Sequence, residues 1–243
     1  MKALEKIKAL KEYAFELQEF DGYLIFNQAN LLYLTGFQGV SSLLIPKNGE
    51  PRINVYGVNY EQAKSKGNKF RVELVKPHEK LMSKIAKQTK EFEVKKLAVD
   101  TLNIKGWQTL KKEVEKQKIT LTANNDFVSN LRKVKSEAEI RLLRKAGELT
   151  SQGMRIAIEL LSPGIKEQEL AGEIEYAMRK KGGYGTAFET VVASGAASAF
   201  PHGDQSNKEI QRGDLVVIDI GATYKYYCSD MTRTLVVGNP SKK

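Results

Sequence analysis

Two aspartates in the last part of the chain stand on either side of a predicted turn. Asp219 is the only polar residue of the run Leu215–Ile220. A strand that is apolar on both faces is typical of a fully covered sheet, so Asp219 is expected to be buried. An unpaired buried carboxylate is costly, and it therefore requires a cation or several hydrogen-bond donors.

Asp230 begins the next predicted strand. If the loop between the strands has an even number of residues, Asp219 is opposite an even-numbered position such as 230 or 232, and both carboxylates lie on one face. Their Cβ atoms would be roughly 4.5 to 5.5 Å apart when opposite, or roughly 7 to 8 Å apart when diagonal. A divalent cation between them would relieve their repulsion, so the pair predicts a metal site. The alternative is that one aspartate pairs with Arg233 or caps a turn.

Two further residues are candidates for the same site. Thr232 shares a face with Asp230 and is placed to hydrogen-bond a carboxylate that binds a metal. His202 follows Phe200 and Pro201 in a predicted loop, from which an imidazole could reach a substrate carbonyl. The other histidine, His78, is predicted to be a loop or helix-start residue rather than a ligand.

The elements that must position these residues form two predicted domains, residues 1–130 and 131–243. In the first, Ile7, Leu10 and Ala14 recur at helical spacing, and Asn48-Gly49 indicates a hairpin. Further short apolar or β-branched runs predict strands at 23–26, 31–34, 43–46, 71–75 and 97–99, with helices at 79–88 and 104–115.

The second predicted domain opens with a long helix. Ser136 and Glu139 form a capping-box pattern at its start, and Ser162-Pro163-Gly164 ends it. A second helix is predicted from Glu167 to Lys181. Strands are then predicted at 188–193, 215–220 and 231–237.

Composition limits the classes of protein. The net charge is +10, yet lysines alternate with glutamates along predicted helices, so nucleic-acid binding is not expected as the main role. A single cysteine, Cys228, fits a reducing compartment. No run of about 20 apolar residues predicts a membrane span, and a cytoplasmic location is expected.

Several motifs appear in an order that resembles the prolidase and aminopeptidase P branch of the pita-bread metallopeptidases. These motifs are FETVVASG at 188–195, PHG at 201–203, RGD at 212–214, DIGA at 219–222 and SDMTRT at 229–234. Residues 131–140 are similar to the opening of the catalytic domain, and the segment containing Tyr33–Phe37 is similar to a creatinase-like N-terminal domain. The resemblance implies an α/β (α+β) fold, with residues 131–243 as the first half of a pita-bread domain.

The resemblance also implies a reaction. Members of the family cleave Xaa-Pro dipeptides or small peptides with a bridging water or hydroxide held by two divalent metals, such as manganese, cobalt or zinc. Asp219 would bind one metal with both oxygens, Asp230 would bridge the two metals, and His202 would contact the substrate near the scissile bond. A homodimer is expected on the same grounds.

The remaining three ligands, a histidine and two glutamates, belong to family motifs beyond the last residue, Lys243. We therefore expect a truncated or split peptidase that binds metal weakly or not at all and is inactive by itself. The alternatives are a non-catalytic relative that binds protein or nucleic acid, and a metal-free hydrolase such as creatinase. Retention of Asp219 and Asp230 argues against both alternatives. The family usually has glycine near 226, and Tyr226 resists positive φ, so a different turn is expected here.

Overall fold

The computed structural model describes residues 3–16, 19–66, 70–200 and 206–239. The chain divides into two compact units, Met1–Val134 and Lys135–Lys243. Within the described ranges, no helix is long and apolar enough to cross a membrane.

The first unit is a mixed sheet with helices on both faces. In the described ranges its α-helices are α1 (Ala3–Lys11), α2 (Gln28–Thr35), α3 (Gly57–Lys66), α4 (Leu81–Glu91), α5 (Ile104–Glu115) and α6 (Asp126–Lys133), and a π-helical turn at Glu12–Glu16 extends α1. Its strands are β1 (Gly22–Ile25), β2 (Ser42–Pro46), β3 (Arg52–Tyr56), β4 (Arg71–Val75), β5 (Lys96–Val99) and β6 (Thr120–Ala123), in the order β4-β3-β2-β1-β5-β6.

The central strand β1 separates two layers of core. Tyr23 and Ile25 pack in a cluster with residues of α1, α2 and α6, whereas Leu24 packs with residues of α4 and α5. This alternation follows from the period of two along a strand. β1 runs antiparallel to β2 and parallel to β5, and the predicted hairpin between β2 and β3 is confirmed.

One predicted strand is wrong, because residues 31–34 lie in α2. The side chain of Asn27 accepts a hydrogen bond from the backbone N–H of Asn30 at 3.1 Å, which caps the helix start. Gly36, with φ of 70°, ends the helix in the left-handed conformation. These two caps outweigh the strand-like apolar run between them.

The second unit packs two helices against short strands. Its elements are α7 (Glu137–Leu160), α8 (Glu167–Lys180), β7 (Gly185–Thr186), β8 (Val191–Ser194), a 3₁₀ helix (Gly195–Ala199), β9 (Leu215–Ile220), β10 (Ala222–Tyr224), β11 (Tyr227–Cys228) and β12 (Met231–Val236). They form two three-stranded sheets, β12-β9-β8 and β11-β10-β7.

Helix α7 begins as predicted. Glu139 accepts a hydrogen bond from the backbone N–H of Ser136 at 2.9 Å, and the reciprocal bond completes the capping box. Leu149 and Met154 of this helix pack with Leu170 of α8 and with the buried face of β9. The second unit therefore has a core of its own.

Candidate metal site

A hairpin carries the two aspartates, and its strand pairing is interrupted at residues 221–222 and 229–230. Asp219 on β9 is opposite Thr232 on β12, and Thr223 on β10 is opposite Cys228 on β11 in the same register. The predicted even-numbered pairing of Asp219 is confirmed. Continued across residues 221–222 and 229–230, which are paired with each other in neither sheet, this register places Asp230 opposite Gly221, on the diagonal from Asp219 and on the same face.

The hairpin turn is a two-residue turn with positive φ at both positions. Lys225 has φ of 45° and Tyr226 has φ of 72°, the combination that defines a type I′ turn. The expectation that Tyr226 would impose another turn is therefore wrong. Its ring packs edge-on against Tyr184, with centroids 5.9 Å apart, and this contact offsets part of the backbone cost.

The strands cross closely at Gly221. A Cβ atom at this position would lie 2.3 Å from the carbonyl oxygen of Ser229 and 2.6 Å from the ring of Phe188. Only glycine leaves room for this approach. At this point, next to Asp230, the β9–β12 pair of one sheet ends and the β10–β11 pair of the other sheet begins.

Asp219 is half-buried, so its predicted full burial is wrong. Val216, Ile218 and Ile220 of β9 face the core of the second unit, whereas Asp219 lies on the opposite face, where Leu215 is 51% exposed. The apolar run indicated cover on both faces, but the described residues cover one face well and the other only in part.

Thr232 makes the contact predicted for it. Its hydroxyl donates a hydrogen bond to Oδ1 of Asp219 at 2.7 Å. Oδ1 of Asp219 keeps a further lone pair, and Oδ2 receives no hydrogen bond from the described residues. The carboxylate is therefore oriented by one donor and retains oxygens for a cation.

The alternative pairing with Arg233 is not observed. Its guanidinium donates to the backbone carbonyl of Thr232 at 2.7 Å, and across the described ranges neither Asp219 nor Asp230 forms an ion pair. Two carboxylates on one face suit a divalent cation that prefers oxygen ligands. The described part of the chain contains no group of three or more histidine, cysteine, aspartate or glutamate residues that could hold a metal.

His202 lies outside the described residues, but the segments that flank it are anchored at one carboxylate. Glu167, buried at the start of α8, accepts hydrogen bonds from the N–H and the hydroxyl of Ser194, both at 2.7 Å. It also accepts a short hydrogen bond from the hydroxyl of Ser206. Lys208 donates to the hydroxyl of Ser194 at 2.7 Å and to Asp214 at 2.9 Å.

Sequence reasoning missed the contacts between α7 and the hairpin. Thr150 of α7 bonds to both Ala222 and Ser229, and the hydroxyl of Tyr227 donates to Glu139 at 3.0 Å. The one available signal was a polar Thr150 within the apolar stripe of a predicted helix.

Comparison with known proteins identifies both parts of the chain. Residues 141–243 match Metallopeptidase family M24, and residues 6–134 match the Creatinase/Prolidase N-terminal domain. The Xaa-Pro dipeptidase of Pyrococcus horikoshii is 37% identical over 242 residues, which cover 98% of this chain and 66% of the dipeptidase.

Solved structures give the same result. The Xaa-Pro dipeptidase from Bacillus anthracis superposes with a TM-score of 0.91 at 33% identity, over 99% of this chain and 66% of that protein. The X-Pro aminopeptidase from Thermotoga maritima gives a TM-score of 0.81 at 32% identity, over 94% and 66% of the two chains. The chain thus spans about two thirds of the length of these relatives. With a creatinase-type N-terminal domain followed by part of a pita-bread domain, the chain belongs to metallopeptidase family M24.

Proposed function

We propose that the protein is a metal-dependent exopeptidase of the Xaa-Pro dipeptidase or aminopeptidase type, acting on small peptides or Xaa-Pro dipeptides. The observation that carries this proposal is the pairing of Asp219 with Thr232, whose hydroxyl donates to its carboxylate, in a hairpin register that places Asp230 on the same face. The relatives named as Xaa-Pro dipeptidases and X-Pro aminopeptidase support the substrate class.

Each residue has a distinct part in this proposal. Asp219 and Asp230 supply oxygens to a divalent metal such as manganese, cobalt or zinc, as two members of a larger ligand set for two ions. When bound, such ions supply a water nucleophile that is activated at neutral pH. Thr232 fixes the orientation of the Asp219 carboxylate, and His202 stabilises the charge that develops on the substrate carbonyl.

The two carboxylates by themselves are expected to bind metal weakly. Among the described residues, no third candidate ligand lies with them, and the 243-residue chain is expected to hydrolyse Ala-Pro at a negligible rate. Cytoplasmic location and a homodimer remain predictions of the same proposal.

Titration with Mn²⁺ tests the proposal at the level of single residues. The paramagnetic ion broadens backbone amide signals of nearby residues, so signals around 219–232 are expected to broaden first. Asp219→Asn and Asp230→Asn should each abolish this local broadening, because each removes an anionic ligand.

The control is Asp126→Asn, which changes a carboxylate at the start of α6 in the other unit and should leave the broadening unchanged. Broadening that persists in both hairpin variants would exclude the site. Robust manganese-dependent cleavage of Ala-Pro by this chain would contradict the expected weak binding.

A further inference from the structure

Thr150 is a buried hydroxyl of α7 that contacts both strands of the hairpin. It is fully shielded from solvent. Its Oγ1 accepts a hydrogen bond from the backbone N–H of Ala222 at 2.9 Å, and it lies 2.6 Å from the hydroxyl of Ser229. A single helical side chain therefore ties β10 to the residue that follows β11.

The hydrogen bonds around Thr150 are mutually consistent. The hydroxyl of Ser229 donates to the carbonyl of Ala222 at 3.2 Å, and with that proton so used, the hydroxyl of Thr150 is the donor to Ser229. The N–H of Ala222 is shared between the two hydroxyl oxygens. Removal of the Thr150 hydroxyl would leave this buried N–H with only the longer bond, which is an expensive arrangement.

The contact lies beside the proposed metal ligands. Asp230 follows Ser229 directly, and the N–H of Ser229 donates to the carbonyl of Ala222 at 3.0 Å. Gly221 lies so close to the carbonyl of Ser229 that a Cβ atom at this position would be 2.3 Å from the carbonyl oxygen. Because a peptide bond joins Ser229 to Asp230, a shift of Ser229 moves the backbone of Asp230 and with it the carboxylate.

The geometry points to Thr150 as a positioning residue for Asp230. Its hydroxyl bonds to Ala222 and Ser229 and thereby fixes the backbone on which Asp230, the next residue, is carried. The inference rests on the proposed function, because it assigns Thr150 to the metal site of that function. Thr150 does not touch the cation and acts only through the backbone. The hydrogen bond from Tyr227, next to the hairpin turn, to Glu139 of α7 limits the remaining freedom of the strands.

A purely structural role for Thr150 makes a different prediction. In that case loss of the hydroxyl lowers the free energy of unfolding and leaves metal affinity unchanged. In the positioning role, metal affinity falls as well, because residues that orient ligands alter affinity by about 10- to 100-fold. Affinity and stability measured on the same variants therefore separate the two roles.

The test uses Mn²⁺ alone as the probe, with the full 243-residue chain and the amide broadening around 219–232 as the readout. Thr150→Val replaces the hydroxyl with a methyl group of similar size and is expected to weaken Mn²⁺ binding about tenfold or more. Thr150→Ser keeps the hydroxyl and is expected to bind within about twofold of the wild type. Urea unfolding of each variant gives its stability.

Thr89→Val is the matched control. Thr89 is also a fully buried helical threonine, and it donates to the carbonyl of Ala86 at 2.9 Å in the other unit. This variant should lose stability and keep the Mn²⁺ affinity of the wild type. If Thr150→Val does not fold, Ser229→Ala removes the same hydroxyl contact from the other side and should weaken binding about threefold or more.

The outcomes are distinguishable. Wild-type affinity in a folded Thr150→Val, or in Ser229→Ala if Thr150→Val does not fold, would overturn the positioning role and leave the metal site intact. If Mn²⁺ causes no more broadening around 219–232 in the wild type than in Asp219→Asn, the proposed function itself is overturned, and the positioning role with it.

Discussion

At the residue scale, Asp219 has a strand pairing that follows from local sequence and a degree of burial that depends on distant segments. Its pairing with Thr232 follows from the alternation of side chains along two strands. Its half-burial depends on what packs over each face of β9. The apolar residues on either side of it in the sequence do not predict this exposure. The hydrogen bond from Thr232 is the more useful feature, because it orients the carboxylate without removing its exposed oxygens.

Asp214 gives a prediction for pH dependence. Its carboxylate accepts hydrogen bonds from the N–H of Gln211 at 3.0 Å and from Lys208 at 2.9 Å, and these bonds lower its pKa below the ordinary value. A carboxyl with a lowered folded-state pKa stabilises the fold above its ordinary pKa, and this stabilisation is lost as pH falls through the folded-state pKa. Asp214→Asn should therefore lower the free energy of unfolding at pH 7 by about 1 to 2 kcal/mol.

Urea unfolding from neutral to strongly acidic pH measures this effect. The difference between wild type and Asp214→Asn should shrink towards zero in acid, because both side chains are then uncharged. Glu209→Gln, at an exposed carboxyl in the same segment, should change stability little at any pH. A difference for Asp214→Asn that stays constant with pH would show that the charge of the carboxylate is not the cause.

At the element scale, the hairpin β9–β12 is positioned by contacts at its crossing and its turn. The type I′ turn at Lys225 and Tyr226 uses two residues that disfavour positive φ. The pairing of β10 with β11 on either side of the turn and the packing of the Tyr226 ring outweigh that cost. The turn therefore follows from the register of the whole hairpin rather than from its own two residues.

Gly221 and Gly147 give opposite expectations for the same substitution. Gly221→Ala should lower the free energy of unfolding by about 1 to 3 kcal/mol, because its Cβ would meet the carbonyl of Ser229 at 2.3 Å. In Gly147→Ala, in α7, the added Cβ atom has no neighbour within 4 Å, and the substitution should raise the free energy of unfolding by about 0.5 to 1 kcal/mol. Urea unfolding of both variants measures the contrast, and equal effects at the two positions would contradict the close crossing.

At the scale of the whole molecule, each unit has hydrophobic clusters of its own among the described residues. Two clusters draw all their members from residues up to 131, and the third draws its members from residue 149 onward. The first unit contains a complete six-stranded sheet with helices on both faces. Each unit therefore has the means to fold on its own core.

A fragment of residues 1–134 should unfold cooperatively in urea, as followed by circular dichroism. A shorter fragment, 1–125, lacks α6 and with it Phe127, whose ring packs edge-on against Tyr13, Phe20 and Tyr23 at 5.0 to 5.8 Å. The shorter fragment should be less stable by about 3 kcal/mol or more. A broad, non-cooperative transition in the longer fragment would show that the first unit depends on the second.

Elements with local signals could be predicted from the sequence, and others could not. The capping box of Ser136 and Glu139 placed the start of α7, since both partners lie within one helical turn. The prediction of a strand at 31–34 is wrong because the residues that cap helix α2, Asn27 and Gly36, lie outside that apolar run. For the candidate site, the motifs named the aspartates, whereas the contact of Thr150 with Ala222 joins residues 72 positions apart.

The sequence by itself determined the family, the run of β9 and the pairing of Asp219 with an even-numbered residue. These depend on residue order and on the period of two along a strand, which are local properties. Only the tertiary structure decided the exposure of Asp219 and the attachment of the hairpin to α7 through Thr150. Both depend on which distant segments pack together, and packing is set by the fold as a whole.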